Sequence, residues 1–303
     1  MKFKKIVVLA LLLGVFVSIR SSAQACSAFV VADPFDRKTS HGIDGLTAGD
    51  FEARIGGNSL SIVSIAQRFN SRLMVLVDVS GASEDPSLGE LVNGIATQAR
   101  QAPAGRAVAF GVFAEHAVFT KGFSASPAQR STEIDQVIAG SRSLGARSAL
   151  FDSLHEAIST FRGSQPGDAI LIVSDGVDNQ SKRNGNDLGK ELVHSGIRLL
   201  QVFRPRSRPV ANDFRQVARE AGYDLRILIS KTGGSYTGFR NEQFFDFAWA
   251  GYLLEIKVPS SLDKPKDWKL TLRGDAAKAH KDALIYYPWQ LACPQAPATA
   301  AGP

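Results

Sequence analysis

Between residues 71 and 240 the hydrophobic positions switch repeatedly between two periods. Continuous apolar runs at 73–79, 107–114, 117–123, 169–174 and 197–203 have strand length. The Val, Ile and Leu content of the central ones suits strands buried on both faces. Helical spacing appears in Leu150, Leu154, Ala157, Ile158 and Phe161, and again in Phe214, Val217, Ala218 and Ala221. Asn212 or Asp213 can cap the second of these helices, and Gly222 can end it. Leu225, Leu228, Ile229 and Thr232 mark a shorter helix stopped by Gly233-Gly234. Strands alternating with helices predict an α/β unit: a doubly wound, mostly parallel sheet with right-handed crossovers.

The flanks read differently. Residues 26–70 alternate as strands, with Ser27 to Ala32 first and then a hairpin signal at Gly56-Gly57-Asn58 between Phe51–Ile55 and Leu60–Ile65. Residues 241–292 continue with a helix around Asn241–Ala250, followed by strand patterns at Tyr252–Val258, Trp268–Arg273 and Ala283–Tyr287. The two flanks are expected to pack together as a small β domain beside the α/β unit. The stretch 293–303 is rich in Pro, Ala and Gly and is expected to lack order.

The first 25 residues change the meaning of the composition. Lys2, Lys4 and Lys5 precede an apolar run from Ile6 to Ile19, and Ala23-Gln24-Ala25 supplies small residues for cleavage. This is a signal-peptide pattern, too short to span a bilayer comfortably, and it implies export to the periplasm or beyond. Its three lysines and Arg20 account for most of the formal net charge of +6. The remainder is near neutral, which removes the electrostatic argument for nucleic acid, and it holds no transmembrane pattern. Cys26 and Cys293 are the only cysteines. In an oxidising compartment they can pair; Cys26, directly after the cleavage site, can alternatively carry a lipid anchor.

Candidate chemistry gathers at predicted strand ends. Leu73–Val77 runs into Asp78, with Ser80 two residues later; Ser148 precedes the helix opening on Leu150; Ile170–Ser174 runs into Asp175-Gly176. Acid and hydroxyl oxygens at the carboxyl ends of parallel strands are suited to a hard divalent cation such as Mg²⁺. The turn Asp78-x-Ser80, the run Ser148-Ala-Leu-Phe-Asp152 and the strand end Ser174-Asp-Gly176 resemble a von Willebrand factor A domain, over about residues 71–240. The segments GLTAGDFEARIGGNSLSI and KTGGSYTGF…YLLEIKVP are similar to the flanks of a bacterial secreted, VWFA-related subfamily.

The resemblance implies a von Willebrand A-like, Rossmann-type fold and a metal ion-dependent adhesion site. By position, its metal ligands would be Asp78, Ser80, Ser148 and Asp175. Ala82 stands where the family pattern has a second serine, and Ser83 comes one residue late, so the site is degenerate and Mg²⁺ binding weakened or lost. Arg147 could place a cation near Asp78 or Asp175, or serve as a rim contact. Arg204, Arg206 and Arg208 form the densest positive run, either a solvated loop or a contact for an acidic partner.

The implied role is binding or scaffolding of a macromolecular partner, expected to be a protein. A metal-independent structural module is the alternative, and a hydrolase a more distant one. His155-Glu156 lacks the second histidine of a zinc-protease helix, and no Gly-x-Ser-x-Gly elbow surrounds Ser174, so Asp78, His155 and Ser174 make a poor triad. The chain is therefore expected not to be an enzyme.

Overall fold

A computed structural model describes residues 26–39, 41–67, 71–81, 87–204, 225–238, 245, 248–259 and 268–291. The expected signal segment 1–25, the helix at 212–222 and the tail 293–303 lie outside the described residues, as does most of the helix expected around 241–250.

The apolar run Leu73–Asp78 (β5) sits at the centre of a six-stranded sheet. Its neighbours are β6 (Val108–Phe113) on one side and β8 (Ala169–Ser174) on the other. Beyond β8 come β9 (Arg198–Phe203) and β10 (Tyr236–Gly238); beyond β6 comes β7 (Ala117–Phe119). All neighbouring pairs are parallel except β6 with β7. The strand predicted over 117–123 is shorter because Thr120 diverts it. Its hydroxyl takes the Phe110 N–H and donates to the Gly122 carbonyl, while its own N–H still donates to the Phe110 carbonyl.

Helices cover both faces, as continuous apolar strands require. Leu73, Val75 and Val77 pack with α1 (Ser87–Gln101) and α2 (Pro127–Gly140). Met74 and Leu76 face the other way, against α3 (Leu150–Thr160), α4 (Gly185–Ser195) and a helical stretch at 225–231. Each large aliphatic side chain buried in this way contributes roughly 1.5–3 kcal/mol of transfer free energy. Ser126 caps α2 by accepting the Gln129 N–H, with Pro127 in the first turn; Asn184 caps α4 through the Asp187 N–H, and Gly196 ends it.

Arg130 of α2 is buried and has no carboxylate partner among the described residues. It instead donates to the carbonyls of Arg100, Ala102, Arg106 and Ser124. One guanidinium thus serves the C-terminal end of α1 and the entry to β6.

The second sheet is built from both flanks, in the order β12 (Trp268–Leu272), β3 (Phe51–Ile55), β4 (Asn58–Gln67), β11 (Tyr252–Val258), β1 (Cys26–Asp36), β13 (Ala283–Tyr286). The short β2 (His41–Gly42) adds to β1, and α5 (Gly274–Ala279) follows β12. All its pairs are antiparallel. The β3–β4 hairpin turns on Gly56 and Gly57, at φ 52° and 85°, conformations that a side chain would strain. Tyr252 ties the long loop to the sheet by donating to the Ile43 carbonyl and accepting the Leu46 N–H. Cys26 is disulfide-bonded; Cys293, the partner expected for it, is outside the described residues.

The two sheets are joined by polar contacts. Arg198, at the start of β9, is buried and donates to the carbonyls of Ala248 and Ala250, and its charge acts on buried Asp33 of β1. Thr232 bridges Pro288, and the Trp289 N–H donates to the Lys231 carbonyl. Among the described residues, no helix is long and apolar enough to cross a membrane.

Candidate functional site at the carboxyl ends of the strands

Because β5 and β8 run parallel side by side, their last residues emerge together. Asp78 ends β5 fully buried. Its Oδ1 accepts the Ser80 N–H at 2.9 Å and its Oδ2 accepts the Ser174 hydroxyl at 2.8 Å. The Ser174 hydroxyl in turn accepts the Gly176 N–H at 3.0 Å. Gly81, at φ 73°, donates to the Ala146 carbonyl and closes the first loop onto the second. Ala82 and Ser83 lie outside the described residues.

The second and third loops are paired in the same way. Ser148 donates its N–H to the Asn179 Oδ1 at 2.8 Å, and its carbonyl accepts the Asn179 N–H at 3.0 Å. The Ser148 hydroxyl is buried and has no hydrogen-bond partner among the described residues. Asp175 is buried, and its Oδ1 accepts the Val177 N–H at 3.0 Å. Helix α3 has no capping side chain of its own at Ala149. The third loop supplies the acceptors: Asp178 and the Ser181 hydroxyl take the Phe151 N–H, and Ser181 also takes that of Asp152. Asp152 reciprocates by accepting from the backbone of Lys182 and Arg183.

The cation among these loops is Arg204. The sequence placed it in an exposed basic cluster, but its side chain is only 9% exposed. Its Nη1 donates to the carbonyls of Asp78 (3.2 Å) and Ser80 (3.3 Å), and its Nη2 lies 3.7 Å from Asp175 Oδ2. The reason is strand length. β9 ends at Phe203, one residue short of Arg204, so this side chain leaves a strand end beside those carrying Asp78 and Asp175. That position was readable from the sequence; Arg206 and Arg208, which obscured it by similarity, lie outside the described residues. Asn179 and Ser181 carried no signal beyond ordinary loop composition.

Arg147 does not place its guanidinium beside Asp78 or Asp175. It is exposed and pairs with Glu115, Nε to Oε1 at 3.3 Å. This pairing holds the Glu115 carboxyl below its usual pKa. The ring nitrogens of His155 are engaged by Glu191 (Nδ1, 2.8 Å) and Arg183 (Nε2, 2.9 Å), so this imidazole does not meet Ser174 or Asp78.

Electrostatically the pocket is already balanced from within. Burial raises the Asp78 pKa; the Arg204 charge, the second influence, lowers it, as do the bonds from Ser80 and Ser174. Both Asp78 oxygens accept protein donors, and the guanidinium faces the same carbonyl edge and Asp175. This donor set does not fit Mg²⁺ alongside Arg204. A divalent ion would meet a fixed positive charge in a site of low dielectric, and Ser148 would remain as the one buried hydroxyl without a partner among the described residues of the four-ligand set. No group of three or more metal-ligating His, Cys, Asp or Glu side chains exists among the described residues.

Residues 50–222, more than half of the chain, match the model of the family described as VWA domain containing CoxE-like protein. The chain belongs to this von Willebrand A family. Its VWA match begins within the 3₁₀ turn before β3 and covers β5 to β9, the strands whose ends form the site. No curated protein matches the sequence.

Several solved structures are similar in shape. An aerotolerance-related membrane protein from Bacteroides fragilis shares 18% identity over 57% of this chain and 92% of its own, at a TM-score of 0.42. Manganese-loaded TRAP protein of Plasmodium vivax shares 12% over 70% of this chain and 81% of its own, at 0.44. Proximal thread matrix protein 1 of the mussel byssus, with a zinc-occupied MIDAS motif, shares 16% over 63% of this chain and 48% of its own, at 0.46. None of these similarities bears on what this chain binds.

Proposed function

We propose that this VWA protein is an exported, non-enzymatic binding or scaffolding module that engages a protein partner at the carboxyl-end face of its parallel sheet without a metal. The observation that carries the reading is the position of Arg204, whose guanidinium bonds the Asp78 and Ser80 carbonyls and approaches Asp175. A protein-borne cation gives the loops their charge balance permanently, so partner binding does not depend on divalent-ion supply. The loops are also cross-tied through Gly81–Ala146 and Ser148–Asn179, which presents a preformed face and lowers the ordering cost of association.

Export is supported by the residue pattern of 1–25 and by the disulfide at Cys26, since such bonds persist in oxidising compartments. A disulfide-bonded Cys26 has no thiol left to acylate, which favours a protein free of a lipid anchor.

The test is retention of envelope proteins on immobilised mature chain, in chelator and in excess Mg²⁺ or Mn²⁺, alongside calorimetric titration with each ion. The same proteins should be retained in both buffers, with no heat of metal binding. Loss of retention in chelator, or saturable uptake of either ion, overturns the metal-free reading.

A further inference from the structure

Where the turn at Gly233-Gly234, packed on the start of β9, meets the second sheet, the junction of the two sheets leaves a cleft of about 540 Å³. That lies within the range of roughly 300–1,000 Å³ typical of small-molecule sites. Trp268 of β12 lines it together with Tyr286, Tyr287, Trp289 and Gln290 from the end of the second sheet, and Gly233 and Gly234 complete the lining.

The cleft is built rather than incidental. Trp268 donates its Nε1–H to the Pro288 carbonyl at 2.8 Å and meets the Tyr287 ring edge-on at 4.7 Å. Gly234 is in such close contact with β9 that a Cβ there would fall 1.7 Å from the Leu199 carbonyl oxygen. The Thr232–Pro288 bridge and the Trp289–Lys231 bond fix the two sides relative to each other. Trp289 is nevertheless 53% exposed.

The lining selects by chemistry. None of the described residues that line the cleft is charged, so an ionic ligand would lose hydration without gaining a partner among them. A wholly apolar ligand would cover the phenol hydroxyls and the Gln290 amide and leave them unsatisfied. A sugar ring answers both demands: its C–H face stacks on an indole or phenol, and its hydroxyls exchange hydrogen bonds with the amide and phenols. We propose that this cleft, formed where the two sheets meet, binds a short neutral oligosaccharide.

The test uses the mature full chain, tryptophan fluorescence and calorimetry, with neutral trisaccharides of glucose, mannose and N-acetylglucosamine and a polyproline peptide as probes. At least one trisaccharide should bind and change the fluorescence. Trp289→Ala should weaken that binding by about tenfold or more while leaving the melting temperature unchanged. Gln290→Ala, which keeps every ring, should weaken it as well. Absence of binding by all three sugars, binding that survives both substitutions, or binding of the peptide alone overturns the proposal.

Discussion

The guanidinium of Arg204 stands 3.7 Å from the Asp175 carboxylate and within hydrogen-bond distance of the Ser80 carbonyl. It therefore joins the end of β9 to the loops that follow β5 and β8. Removing it leaves two carbonyls and a buried acid without their cation. Arg204→Ala should cost about 2–4 kcal/mol of unfolding free energy. Arg204→Lys should recover only part of this loss, because an ammonium cannot span carbonyls and carboxylate as a planar fork does. Urea denaturation of the three proteins checks the order. A wild-type-like Arg204→Ala would show that the guanidinium is a bystander.

Asp78 yields a pH-dependent expectation. Its folded pKa is raised, with burial outweighing Arg204 and the two hydroxyl-loop bonds. The native state therefore holds this proton at pH values where the unfolded chain, near the ordinary 3.8, has released it. By linkage, the Asp78 contribution is full below 3.8 and is lost as pH rises through the folded pKa. Asp78→Asn removes this titration, so its stability relative to wild type should increase steadily from acid toward neutral pH. Denaturation at a series of pH values decides it. If wild type instead gains on the variant as pH rises, the charge of Arg204 dominates and burial does not.

The strand ends were legible in the sequence because each apolar run stops on a polar residue: Asp78 after Leu73–Val77, and Ser174-Asp175 after Ile170–Val173. A parallel sheet then brings those ends together without further information. Arg204 obeys the same rule after β9, yet it stands at the head of Arg204-Pro-Arg-Ser-Arg208, where composition suggests a solvated loop. Burial there is decided by the register of β8 with β9, which pairs Ser174 with Phe203, and register is a property of two strands rather than one. Arg147 misled for the complementary reason. It adjoins Ser148 in sequence, but its partner Glu115 is supplied by a loop 32 residues away. Arg130 gave no signal, since its acceptors are main-chain carbonyls that any residue could provide.

Arg130 is also a buried guanidinium, but unlike Arg204 it bonds main-chain carbonyls alone among the described residues. It donates to four carbonyls, and burial lowers its pKa. Arg130→Lys retains the charge but offers too few donors in too compact a head, and should cost about 2–4 kcal/mol. Arg130→Met removes charge and donors together and should be no milder, because the carbonyls stay buried and unpaired. Thermal unfolding measures both. A neutral Arg130→Lys would mean that charge alone, not the geometry of four bonds, is what the α1–β6 junction needs.

Glycines at two places separate close approach from mere flexibility. A Cβ on Gly234 would fall 1.7 Å from the Leu199 carbonyl oxygen, main chain on main chain, so no side-chain rotation relieves it. Gly234→Ala should push the helical stretch 225–231 away from β9 and cost about 4 kcal/mol or more, in the range reserved for a named structural clash. Gly89, in α1, has nothing within 4 Å of such a Cβ. Gly89→Ala should stabilise by about 0.5–1 kcal/mol through the lower entropy of the unfolded chain and better helix propensity. Chemical denaturation of the pair tests the packing of β9 directly. A tolerated alanine at 234 would require the helix and strand to stand farther apart than described, and with them the wall between the two sheets.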